Sequence, residues 1–283
     1  MNIKLLDKIS SQGSFGKPNE DLIIIENGLA VVLDGATGLG GSVINDEVSD
    51  AKWFVRKISE YLSPAWNTSN NFVESLKFAL ETVSELFIRD IRKNNIPKYE
   101  QPSSGMIAVA LEGGDVNIYR AGDCAAIYQG KHVNVLFENS RLEELDQLSI
   151  RLLRQYMNDG LSYSEARNCI LPILRSHREK MNTKEGYPSL SVGIDCIDFI
   201  EKKCVRPDAR DQLLVCSDGF SAIYEKYDSY RIDRFFSAQR DSLEKIVELL
   251  RSIEIKDKSL LKYPRLKPHD DATAVLLEFE NCL

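Results

Sequence analysis

The chain has 283 residues, 43% of them hydrophobic and 28% charged, enough apolar material to build a sizeable core. Its formal net charge is -7, from 36 Lys and Arg against 43 Asp and Glu, and no run of like charge stands out. That balance excludes general binding to nucleic acid or to an anionic membrane surface. Met1 to Ser14 holds no apolar stretch of signal-peptide length, and nowhere do about 18 apolar residues run together, so a cytoplasmic chain without a membrane span is expected. Cys124, Cys169, Cys196, Cys204, Cys216 and Cys282 are scattered without a CxxC pair, and are read as small buried hydrophobes.

In chain order, LIII at 22–25 and LAVVL at 29–33 flank Asn27-Gly28, the favoured dipeptide of a two-residue type I′ turn, and predict a tight hairpin. Amphipathic helices follow at about Val48 to Leu62 and about Phe72 to Lys93. From Gly105 the pattern is β again: MIAVALE, DVNIYRAGD, CAAIYQ and HVNVLF are expected to form one antiparallel meander. Residues 141–181 read as helical, with Gly160 ending one helix and Ser162 to Glu165 fitting a capping box for the next. Strands are expected at Ser189 to Ile194, Gln212 to Cys216 and Ala272 to Phe279, with a helix near Asp241 to Ile253 and a Lys/Pro-rich loop before the last strand. No repeat, linker or domain boundary is visible, and the alternation predicts antiparallel sheets covered by helices.

A hairpin centred on Asn27-Gly28 sets Asp21 directly opposite Asp34. At about 4 Å and an effective dielectric near 20, two carboxylates repel by roughly 4 kcal/mol, which calls for a raised pKa, a basic neighbour or a bound cation. The nearest basic residue in sequence is Lys17. Acids recur at strand ends, at Asp123, Asp218 and His269-Asp270-Asp271. Taken singly, Asp34-Gly35 and Asp218-Gly219 are also common turn dipeptides. If the ends converge, three to five carboxylates meet in one place and suit hard, oxygen-preferring Mg²⁺ or Mn²⁺.

The series Asn19-Glu20-Asp21, Val32-Leu33-Asp34-Gly35, Ala121-Gly122-Asp123, Cys216-Ser217-Asp218-Gly219 and Asp270-Asp271-Ala272-Thr273 resembles, in order and over nearly the whole chain, the metal-dependent serine/threonine protein phosphatases (PPM, type 2C). The resemblance implies one α+β domain over 1–283, a four-layer α-β-β-α sandwich with two antiparallel sheets flanked by helix pairs. It also implies a centre of two Mn²⁺ or Mg²⁺ ions at one end. Asp34 would bridge both ions, the Gly35 carbonyl would complete one site, Asp218 and Asp270 would hold the other, and Glu20 and Asp21 would act directly or through water. Asp123, with Asp218, matches the position of a third, weaker ion. A water shared by two cations can attack phosphorus without a protein nucleophile. In keeping with that, the chain has neither a Cys-x5-Arg phosphate loop at Cys124 or Cys216 nor a nucleotide P-loop at Gly38 to Gly41. The implied partner is a phosphorylated protein in a Ser/Thr kinase pathway, met by a monomer.

The sequence departs from that pattern at the rim. The Arg that many members carry four residues before the Glu is Gly16, which leaves Lys17 as the candidate to meet phosphate, and the His after the Asp-Gly is Ala36. His269 is a candidate proton donor. Residues 138–190, where the family has a variable flap, read as a long helical insert, either docking a partner or covering the sheet. Alternatives are a catalytically silent member used as a regulatory platform, motivated by Gly16 and Ala36, and a two-metal nuclease, which the net acidity opposes.

Overall fold

The computed structural model describes residues 1–45, 47, 49–92, 95–137 and 141–281. The expected helix ends at Val48 and Lys93, the first residues of the insert and Cys282 lie outside the described residues.

One sheet has the order β2-β3-β4-β5-β9, from Asp21–Glu26, Leu29–Ala36, Ser103–Glu112, Asp115–Ala121 and Glu201–Val205, with the short β8 (Leu190–Ser191) pairing β4. The other runs β1-β11-β10-β6-β7, from Asn2–Ser11, Ala272–Glu280, Gln212–Cys216, Ala125–Gln129 and Val133–Val135. Every strand pair is antiparallel. Alternation along β3 shows why the layers form. Leu29, Val31 and Leu33 pack outward under α1 (Asp50–Ser69) and α2 (Phe72–Asp90), among Trp53, Phe54 and Leu76. Ala30 and Val32 point inward, against Val215, Val275 and Leu277 of the facing sheet. The outer face of that sheet is covered by α5 (Asp218–Glu225) and α6 (Leu243–Lys256), with Phe220, Ile246 and Leu250 buried there. Three apolar layers between four structural layers make the α-β-β-α sandwich.

Both N-terminal helices start at a side-chain cap, Ser49 accepting from the Lys52 N–H and Asn71 from that of Glu74, and α1 runs seven residues beyond its expected end, to Ser69. The insert consists of α3 (Arg141–Asn158) and α4 (Tyr163–Glu179) with the expected capping box at Ser162, and Gly160 takes a positive φ of 97° after α3.

Several expectations are corrected. The four strands after Gly105 do not form one meander: β4 and β5 belong to one sheet, β6 and β7 to the other, because the chain changes sheets at Gly122–Cys124. The strand expected over Ser189 to Ile194 shrinks to Leu190–Ser191. β1, β9 and α5 are additions. Of the cysteines, Cys124, Cys196 and Cys216 are buried, whereas Cys169 on α4 and Cys204 on the edge strand β9 are exposed, so burial was not common to all.

Candidate metal centre

The site is built where strand ends of both sheets meet. Asp21 and Asp34 are paired across the hairpin as its register requires, and Asp34 in turn lies opposite Gly105 of β4. Gly105 leaves room for that approach: a Cβ there would stand 3.4 Å from the Asp34 Cβ and 3.6 Å from Asp123 Oδ1. Asp123 arrives through the sheet change, where a Cβ on Gly122 would lie 3.1 Å from the Gly105 Cα and the φ of 84° is one that only glycine adopts freely. Asp218 opens α5, and Asp270 precedes β11.

Two clamps lock the sheets together at this end. The Ser217 hydroxyl donates to Asp21 Oδ2 at 2.9 Å and accepts from the Thr273 N–H at 3.0 Å. The Asp271 carboxylate accepts from the Gly13 N–H at 2.6 Å and the Glu20 N–H at 2.7 Å. Gly219 matters for the same reason, since a Cβ there would lie 1.9 Å from the Asp271 carbonyl oxygen.

The electrostatics follow from burial and crowding. Burial, then repulsion from Asp21, Asp218, Asp123 and Asp270, holds the Asp34 pKa well above the usual carboxylate range. Burial raises Asp21 to about 8, against the hydrogen bonds from Thr273 and Ser217 and together with Asp270 and Asp271. Asp123 is raised by burial and by Asp218. Asp218 is the exception: burial pushes it up, but Lys226 and Lys267 outweigh burial and hold it below the ordinary value. Burial raises Asp270 despite Lys267.

Three participants escaped the sequence. Lys226 Nζ lies 3.3 Å from Asp218 Oδ2 and Lys267 Nζ 2.7 Å from Asp270 Oδ1. Asp146, on α3 of the insert, is raised to about 7 by burial and by Asp218, while Lys226 and Lys267 act to lower it. The spacing of Lys267 three residues before Asp270 was a visible signal. Lys226 was hidden because it caps the unpredicted α5.

The other expected members have the following partners. Glu20 Oε1 accepts from the hydroxyls of Thr37, at 2.7 Å, and Ser49. Gly35 follows Asp34, and a Cβ on it would lie 2.5 Å from the Glu20 carbonyl oxygen, so the backbones run in contact. Lys17 is exposed on a turn closed by its N–H on the Ser14 carbonyl. His269 Nδ1 lies 3.0 Å from Glu254 Oε2.

The insert bridges the two lips of the cleft. Arg178 donates to the carbonyls of Ala36 and Thr37 and to Ser103 Oγ, and Arg175 donates twice to the Leu39 carbonyl. At the other lip Tyr163 and Arg167 donate to the Leu266 carbonyl. Leu39 and Leu266 pack against the small insert core of Leu153, Ala166, Ile170 and Leu174.

Among the described residues, no three His, Cys, Asp or Glu side chains are grouped closely enough to hold an ion in this arrangement. The donor set nonetheless fits a hard divalent cation in kind, because it is all oxygen and Asp21, Asp34 and Asp123 make no ion pair among the described residues. Asp218 and Asp270 differ, each holding an ammonium.

No protein-family model matches the chain, and no curated protein matches it by sequence. Solved structures do match. The serine/threonine phosphatase PstP/Ppp of Mycobacterium tuberculosis aligns with a TM-score of 0.58 at 13% identity, covering 99% of this chain and 100% of that one. The PPM Ser-Thr phosphatase MsPP of Mycobacterium smegmatis, in complex with cacodylate, gives 0.57 at 17%, covering 98% and 99%. The catalytic domain of PstP with two manganese ions gives 0.55 at 11%, covering 99% of each chain. At these identities the likeness is one of fold, and the fold is that of the PPM phosphatases. No helix is long and apolar enough to cross a membrane among the described residues.

Proposed function

We propose that this chain, taken over 1–283 as one phosphatase-like unit, is a divalent-metal-dependent phosphatase acting on phosphoserine or phosphothreonine in proteins. One observation supports the reading: Asp21 and Asp34 are opposed, make no ion pair among the described residues and are close enough to Asp123, Asp218 and Asp270 for these to act on Asp34, in a fold shared with PPM phosphatases. Two like charges are tolerated at such a place when a cation is bound or one of them is protonated. Asp34, with Asp218 and Asp270, would hold Mn²⁺ or Mg²⁺, Asp21, Glu20 and the Gly35 carbonyl would support them, and Asp123 would serve a weaker third ion. When bound, such ions supply a nucleophilic water and neutralise phosphoryl oxygens. The chain's own groups orient and enclose: Asp271 and Ser217 fix the strand ends, and the insert borders the cleft on which a phosphoprotein would dock. A monomer in a kinase-linked pathway is the biological setting that goes with this reading.

Hydrolysis of an aryl phosphate with Mn²⁺ tests it. Turnover is expected in wild type, lost with chelator, and lowered in Asp34→Ala by more than the roughly 10–100-fold that follows loss of a ligand's supporting partner. A wild type no faster than the mutant sinks the enzyme reading. The ammonium groups on Asp218 and Asp270 favour a second reading, a silent phosphatase-fold binding protein. Failure to bind Mn²⁺ at all would select it.

A further inference from the structure

The carboxylates of Asp21, Asp34, Asp123, Asp146, Asp218 and Asp270 act on one another, Asp271 acts on Asp21, and Lys226 and Lys267 bring positive charge among them. An anion beside these acids depends on that positive charge. Both lysines are also accessible, with side chains 39% and 47% exposed, whereas the acids they touch are 25% and 29% exposed. At the rim the position of the family's arginine is Gly16, and Lys17 is exposed.

Resting on the phosphatase reading, we infer that Lys226 and Lys267 are the phosphate-binding residues of this chain, holding phosphoryl oxygens from the α5 side and the β11 side of the cleft. Each ammonium has three donors and spends one on its carboxylate, so it can bridge Asp218 or Asp270 to a phosphoryl oxygen. The two come from different segments, and both act on Asp218.

The experiment uses the full chain and its Lys226→Met, Lys267→Met and Lys→Arg variants. Mn²⁺ affinity is measured by calorimetry, and inorganic phosphate affinity at saturating Mn²⁺. The Met variants are expected to bind Mn²⁺ as tightly as wild type or more so, having lost a competitor for Asp218 or Asp270. Phosphate should bind about tenfold or more weakly, the scale of one charge-assisted hydrogen bond, with recovery in the Arg variants. Unchanged phosphate affinity, or Mn²⁺ and phosphate affinity falling together, overturns the assignment. Aryl phosphate turnover by wild type tests the parent reading separately. Turnover with phosphate affinity intact in the Met variants removes the lysines alone. Lysine-dependent phosphate binding without turnover removes the phosphatase and keeps the anion site. A wild type that binds no phosphate removes both.

Discussion

At the scale of single residues, burial raises Asp21 to about 8, and burial followed by repulsion from Asp21 holds Asp34 well above the usual carboxylate range. A carboxyl whose folded pKa lies above its unfolded value binds its proton more tightly when folded. Its contribution is complete below about pH 4 and is lost as pH rises through the folded value. Asp21, Asp34, Asp123 and Asp146 all act in this sense, and Asp218, held low, acts in the opposite sense only below about pH 4. The metal-free protein should therefore lose thermal stability between about pH 5 and pH 8, and Mn²⁺ should restore it at the upper end. A melting temperature flat with pH in the absence of metal, measured by calorimetry, contradicts this account. The register of Asp21 on Asp34 was legible because Asn27-Gly28 dictates the turn and the turn dictates the pairing. The ammonium on Asp218 was not, since an ion pair eight residues apart across an unpredicted helix is not written in local periodicity.

At the scale of elements, α5 shows why a short buried helix evades detection. Its start, Asp218-Gly219, reads equally as a turn, and Gly219 to Ile223 are all buried, so no amphipathic stripe marks it. The glycine is retained by packing: with 1.9 Å between its would-be Cβ and the Asp271 carbonyl, Gly219→Ala must push Asp271 and, with it, Asp270. Overpacking of this kind costs about 1–3 kcal/mol, so denaturant unfolding should show that loss, together with weaker Mn²⁺ binding. Unchanged values for both would show that the loop gives way freely. β9, Glu201–Val205, was missed because a charged edge strand lacks the apolar run of a central one, and β1 because its outer position leaves its alternation irregular. By contrast the Ser162 capping box and the Gly160 helix end were readable, both being local chemistry.

At the scale of the molecule, the centre exists because two sheets are pinned at one end. Asp271 does much of the pinning, accepting the Gly13 and Glu20 N–H groups of the β1–β2 connection. Each such charge-assisted bond contributes about 1.5–3 kcal/mol, so Asp271→Ala should destabilise the fold by about 3–6 kcal/mol in denaturant unfolding, with Mn²⁺ affinity falling as Glu20 and Asp21 shift. A loss under about 0.5 kcal/mol, ordinary for a surface change, would refute that role. The insert adds a second tie between the cleft's lips through Arg175 and Arg178 on one side and Tyr163 and Arg167 on the other.

The sequence by itself determined the hairpin, its opposed acids, the N-terminal helix pair, the paired helices of the insert and the order of the five acidic motifs, because turn chemistry, caps and hydrophobic period act over a few residues. Only the tertiary structure decided that the chain leaves one sheet for the other at Gly122, that Asp146 joins the acids and that Lys226 and Lys267 sit on Asp218 and Asp270. A strand's alternation states that it has a buried face but not which sheet will bury it. That choice is made by long-range packing, and it gathers into one cleft charges that lie up to 249 positions apart, from Asp21 to Asp270.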